Sequence, residues 1–180
     1  RFSKVYSREM ITIVAEIGQN HNGDLFLALD MCTAARDAGV DVVKFQKRTP
    51  SLAVPKEQQG VPKDTPWGKM TYLEYRERLE FGIPEYVEVD RHCNNLGIQW
   101  TVSVWDEPSF ELMRSNFPRL PFYKIPSACL TDDSLLEAVA STEVPVVLST
   151  GMSTMEEVRH AVDILGGHGL VLCHCNSTYP

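Results

Sequence analysis

The sequence predicts an α/β fold built on a parallel sheet, and three observations carry that reading. Short apolar runs of β type recur along the chain, with helix-length segments between most of them. Each run is nearly continuous rather than alternating, the pattern of parallel strands covered on both faces. Hydrophilic side chains gather at the end of every run, where a buried strand would not require them.

The elements follow in order. After an N-terminal lead-in, residues 1–10, the first run is Ile11–Ile17. A helix comes next, with Leu25, Leu29, Cys32 and Ala35 or Arg36 on one face, Asp24 as its cap and Gly39 as its stop. Asp41–Phe45 is the second run. An insertion from Lys47 to about Met70 follows, with four prolines, Trp67 and Gly68, which is long for a βα connection and suits a loop serving a site. The segment Glu85–Leu96 reads as a helix closed by Gly97, and leads to the third run, Ile98–Val104. Pro121–Ile125 and Pro145–Ser149 are the fourth and fifth. Thr154–Leu165 is a helix with Glu156 and Glu157 in its first turn and Gly166-Gly167 at its end, before the sixth run, Gly169–His174.

Composition bounds the function. The 180 residues are 43% hydrophobic and 23% charged, ordinary for a globular protein of about one domain. Lys and Arg number 17 against 24 Asp and Glu, and the net charge of −7 offers no basic stripe for nucleic acid. The apolar runs are too short to span a bilayer, and residues 1–10 lack the apolar stretch of a secretory signal. Five cysteines in apolar surroundings suggest reduced thiols and a cytoplasmic protein.

The polar residues after the runs describe a site. They are Glu16 with Gln19-Asn20-His21-Asn22-Gly23, then Lys44 and Gln46, Ser103, Lys124 and Ser127, Ser149-Thr150, and Asn176-Ser177. In a (β/α) barrel such ends converge on one mouth; in an open doubly wound sheet they line a crevice. Lys44 and Lys124, set in apolar strand ends, are costly unless an anion meets them. The serine hydroxyls add neutral donors suited to phosphate or carboxylate oxygens. Glu16 is the inward carboxylate available for acid–base work, so the residues point to a small phosphorylated or carboxylated substrate.

Plainer roles compete with these. Glu16 can pair Lys44 or Lys124 as a structural ion pair, and single serines can act as helix caps. His21 divides between a site residue and a solvated turn. Cys173-His174-Cys175 suits core packing better than metal binding, because adjacent strand residues face opposite ways. Gly166-Gly167-His168-Gly169 follows a helix and precedes a strand, the reverse of a phosphate loop.

Ala15-Glu16-Ile17-Gly18-Gln19-Asn20-His21-Asn22-Gly23-Asp24 is more specific than any of these spacings. Val43-Lys44-Phe45-Gln46, Tyr123-Lys124-Ile125-Pro126-Ser127, Leu148-Ser149-Thr150-Gly151-Met152 and His174-Cys175-Asn176-Ser177-Thr178-Tyr179-Pro180 accompany it, with Trp67-Gly68 and Leu79-Glu80-Phe81 in and beyond the insertion. In these motifs the chain from Ile11 onward resembles the sialic acid synthase family. The resemblance implies a (β/α)8 TIM barrel of which about six of eight βα units are present, so residues 11–180 are expected to be a partial synthase domain. The last two units and a C-terminal antifreeze-like domain are expected to be missing, and the part alone to be inactive.

The resemblance further implies a condensation of phosphoenolpyruvate with an N-acyl amino sugar such as N-acetylmannosamine, giving a nonulosonic (sialic) acid and phosphate. Glu16 matches the family's glutamate near both substrates. Lys44 and Lys124 match its phosphoenolpyruvate-binding lysines, with Ser103, Ser127, Ser149 and Ser177 around the same ligand, and Gln46 and Tyr179 match positions nearby. A divalent metal, manganese or magnesium, is implied, with its ligands beyond Pro180 and none in this chain. The implied partners are the two small-molecule substrates and, for the full-length protein, a second copy in a homodimer. Cys129 stands where many members carry an acidic residue, which bears on the acceptor's identity. Another phosphoenolpyruvate-condensing 3-deoxy-sugar acid synthase and a non-catalytic module that only binds are the other readings.

Overall fold

The computed structural model describes residues 11–166 and 169–178. The lead-in 1–10, the 167–168 pair and Tyr179-Pro180 lie outside the described residues.

Strand β1 (Val14–Gly18) leads to helix α1 (Leu25–Asp37), where Asp24 accepts a hydrogen bond from the Leu27 backbone N–H and Gly39 turns with φ of 80°. Strand β2 (Val42–Lys47) enters the insertion. That segment holds two single-turn helices, α2 (Pro50–Ala53) and α3 (Lys56–Gln59), and an antiparallel hairpin of β3 (Pro62–Thr65) and β4 (Gly68–Thr71). Helix α4 (Tyr72–Leu79) starts from a capping box of Thr71 and Glu74, and α5 (Ile83–Leu96) ends on left-handed Gly97. The insertion is thus a small structured module rather than a bare loop.

The remaining units are β5 (Gln99–Val104), α6 (Glu107–Asn116), β6 (Tyr123–Ile125), a 3-10 turn (Ser127–Cys129), α7 (Asp133–Ala140), β7 (Val146–Ser149), α8 (Met155–Leu165) and β8 (Val171–Cys173). Six strands form one parallel sheet in the order β1-β2-β5-β6-β7-β8, each beside the strand of the next unit. That sequential order without reversal is the order of a barrel wall rather than of a doubly wound sheet. The sheet curls into a half-barrel, and Glu16 of edge strand β1 lines one cavity together with His174 and Cys175, the two residues that follow edge strand β8.

The two faces of the sheet differ, which corrects the expectation of strands buried on both sides. Along β2, β6 and β7 burial alternates: Val43, Phe45, Tyr123, Ile125, Val146 and Leu148 are buried against the helices, while Lys44, Gln46, Lys124, Val147 and Ser149 are half-buried on the concave face. Apolar character on concave residues such as Val147 hid this period in the sequence. Only β5 is buried on both faces beyond its first residue, among these strands. The helix-side core includes an aromatic cluster in which Tyr86 stacks on Trp100 (centroids 5.6 Å apart) and meets Phe45 edge-on at 6.1 Å. This packing fixes the strands, so that their alternate side chains hold a defined place on the concave face.

Candidate functional site

The concave face closes around a cavity of about 790 Å³ at the carboxyl ends of the strands. It is lined by Glu16 from β1, Lys44 and Gln46 from β2, Ser103 from β5 and Lys124 from β6. Ser127 in the 3-10 turn, Ser149 at the end of β7 and Ser177 beyond β8 complete the expected set. Every site residue expected from the sequence that lies among the described residues is therefore in one cavity. Tyr179 lies outside them.

The strand period explains the convergence. Glu16 sits opposite Lys44 in the β1–β2 register, and Ser103 is paired both with Gln46 and with Lys124 across β5. Their side chains share the concave side because successive residues point to opposite faces. The Lys44 ammonium forms an ion pair with the Glu16 carboxylate and donates to the Ser103 hydroxyl at 2.8 Å. The structural pairing of Glu16 is real, and Glu16 nevertheless keeps about half of its side chain exposed to the cavity.

Lys124 is more enclosed. Its Nζ donates to Ser149 Oγ and to the Ile125 carbonyl, each at 2.6 Å. Burial, reinforced by the charge of Lys44, pushes its pKa down to about 8, against weaker support from Cys173, Cys175 and Glu16. Two cations held close on one concave face create an electrostatic demand for an anion. Ser127 accepts a hydrogen bond from the Gly151 backbone N–H at 2.9 Å, which places its hydroxyl at the cavity wall.

Other candidates go elsewhere. His21 is neither a site residue nor solvated: it is buried, its ring stacked on Phe81 at 3.9 Å, with Nδ1 accepting from the Gly23 N–H. Burial holds its pKa down at about 4, so it is a neutral packing element. Cys173 and Cys175 are only half-buried and not core residues; His174 and Cys175, just past the end of β8, line the cavity. Cys129 is buried, with its Sγ 3.3 Å from the Trp105 carbonyl, and burial pushes its thiol up to about 12. It is an inert thiol there rather than a nucleophile. The sequence reasoning missed Trp105, Met152 and Thr178 as cavity residues, since each lies past a strand end in an irregular segment.

A divalent metal was implied by the resemblance. Among the described residues no three His, Cys, Asp or Glu side chains group to hold a metal ion, so these residues do not form such a centre. No helix among the described residues is long and apolar enough to cross a membrane.

Fold and cavity together define a parallel α/β half-barrel with a cationic, hydroxyl-lined cavity at the strand carboxyl ends. Residues 31–180 match the NeuB family, and the chain belongs to it. It is 37% identical over 180 residues to the N-acetylneuraminate-9-phosphate synthase of Drosophila melanogaster, covering 96% of this chain and 47% of that protein. It is 36% identical over 178 residues to the N,N'-diacetyllegionaminic acid synthase of Legionella pneumophila, covering 93% and 49%. Among solved structures, the N-acetylneuraminic acid (sialic acid) synthetase of Leptospira borgpetersenii, in complex with citrate, superposes with a TM-score of 0.83 at 28% identity, covering 96% of this chain and 56% of that one. The chain thus spans about half the length of the curated relatives it matches, and those relatives are synthases of sialic and other nonulosonic acids.

Proposed function

We propose that the protein condenses phosphoenolpyruvate with an N-acyl amino sugar of the N-acetylmannosamine kind, giving a nonulosonic acid and phosphate. The observation that carries this reading is the pair Lys44 and Lys124, held with four serine hydroxyls around one cavity beside the Glu16 carboxylate. Two cations and several neutral donors suit a ligand bearing both a phosphate and a carboxylate.

In this reading Lys44 and Lys124, with Ser103, Ser127, Ser149 and Ser177, bind the phosphate and carboxylate of phosphoenolpyruvate. C3 of the enol attacks the aldehyde carbon, forming the new C–C bond, and the aldehyde oxygen takes up a proton. Water adds at C2, losing a proton, and breakage of the C2–O bond releases phosphate. Glu16, paired with the Lys44 ammonium, holds or moves a proton at that water. Gln46 binds the acceptor. The steps given to these residues do not pass through a metal; manganese or magnesium, where the whole protein uses one, is held outside the residues described. Residues 11–180 form the larger part of the synthase barrel, and the whole protein works as a cytoplasmic homodimer. A 3-deoxy-sugar acid synthase acting on an aldose phosphate is the second reading, favoured by the same two lysines but not by the motifs shared with nonulosonate synthases.

The test is phosphate release by the full-length protein from phosphoenolpyruvate and a divalent cation, across a panel of acetamido sugars and their phosphates. Release that requires an acetamido sugar supports the reading. Release with an aldose phosphate lacking the acetamido group supports the second one instead.

A further inference from the structure

Arg48 lies one residue beyond β2, and its side chain is 11% exposed. Its guanidinium lies over the Trp105 indole, 4.1 Å from the ring centroid, and its Nε is 3.4 Å from Glu80 Oε1. Its backbone N–H donates to Glu80 Oε2 at 3.3 Å. Glu80 is held in turn by Gln19 and by Lys47, whose Nζ also donates to the Phe81 carbonyl at 2.9 Å. The guanidinium is therefore pinned from two sides, and from that position Nη2 donates to the side-chain oxygen of Gln46.

That bond settles which way the Gln46 amide faces. A guanidinium only donates and an ionised carboxylate only accepts, so the Gln46 oxygen must face Arg48 and its NH2 must face Glu16. The observed contact agrees, with Gln46 Nε2 3.4 Å from Glu16 Oε1. One N–H is then directed at Glu16 and the other remains for the cavity that Gln46 lines. A neutral donor beside a carboxylate suits a neutral oxygen rather than a phosphate, because Glu16 repels an anion there.

We propose that Arg48 is a positioning residue for the acceptor: by binding the Gln46 carbonyl oxygen it turns the Gln46 amide so that one N–H meets Glu16 and the other faces the cavity, where it binds a hydroxyl or carbonyl oxygen of the sugar. The identity of that sugar rests on the function proposed above; the orientation of the amide does not. The two are tested separately in the full-length protein. For the orientation, the Gln46 side-chain NH2 signals in the 15N spectrum, assigned by their loss in Gln46→Ala, have shifts distinct from those of a free glutamine amide, and Arg48→Lys moves them to free-amide values. Unchanged Gln46 signals in a folded Arg48→Lys protein overturn the proposal, whatever the enzyme's substrate. Arg48→Lys is chosen because it keeps a charge beside Glu80 while lacking the fork that reaches both Glu80 and Gln46.

For the acceptor, Gln46→Ala and Arg48→Lys each raise its KM by about tenfold and leave the KM of phosphoenolpyruvate within twofold. The double variant is no worse than Gln46→Ala alone. Multiplying effects in the double variant, or full restoration of acceptor KM by Lys, mean that Arg48 serves the fold only. If wild-type protein turns over no acetamido sugar, the proposed function fails and the amide spectrum still decides the role of Arg48.

Discussion

The ammonium of Lys124 donates to the hydroxyl of Ser149 at 2.6 Å across the β6–β7 pair, and with Lys44 it places two cations on one concave face. Neither residue belongs to the helix-side core. Both are held at the cavity by strands whose other faces are packed, so the charge is fixed by the same period that builds the sheet.

Lys124 gives a pH dependence with a definite sign. Its pKa, lowered to about 8, leaves it charged below that value and neutral above. Phosphoenolpyruvate affinity should be flat near pH 7 and fall by up to about tenfold per pH unit above 8, with proton uptake on binding near pH 9. Calorimetry in two buffers of different ionisation enthalpy measures both, and Lys124→Ala should remove the uptake. The same depressed pKa makes the unfolded chain bind more protons than the native one between about 8 and 10.5, so this group's contribution to stability rises with pH there.

Gly151 is constrained by the serines around it rather than by its own dihedral angles. A Cβ at this position would overlap Ser177 Oγ and come within 3.0 Å of Ser127 Oγ. Gly151→Ala should displace both hydroxyls and weaken anion binding by about tenfold, the worth of one hydrogen bond. Melting temperature and ligand affinity separate the effects: a lower affinity with a nearly unchanged Tm is expected.

His21 controls acid stability instead of chemistry. Its folded pKa of about 4, below the ordinary 6.5, means that the unfolded chain binds its proton first as pH falls. Its contribution is full above 6.5 and is lost through about 4. His21→Leu should cost about 1 kcal/mol at pH 7 through the lost Gly23 hydrogen bond, and should flatten the stability curve between pH 6.5 and 4 by close to one proton. Urea titrations across that window provide the slope.

The fold was largely legible because its strands announce themselves. The strand observed as Gln99–Val104 sits inside the run read as Ile98–Val104, and the other five runs likewise contain or closely match their strands. Helices α6 and α7 were open to the same reading, since Asp106 caps at Ser109 and Asp132 at Leu135. The site was legible wherever one residue at a strand end sufficed, as for Glu16 and Lys44. It was not legible where two distant segments meet: Arg48 and Glu80 are 32 residues apart, and only folding brings Glu80 under the guanidinium. Nor did a local signal show that His21, within a run of turn-forming residues, would stack beneath Phe81.

The central claim is that Lys44 and Lys124 form the binding site of a phosphorylated carboxylate. Titration of the full-length protein with phosphoenolpyruvate at pH 7, for the wild type, Lys44→Ala and Lys124→Ala, tests it most directly. Each substitution should weaken binding by about 10- to 100-fold while the fold is retained. Wild-type affinity in both variants, with circular dichroism unchanged, would contradict it.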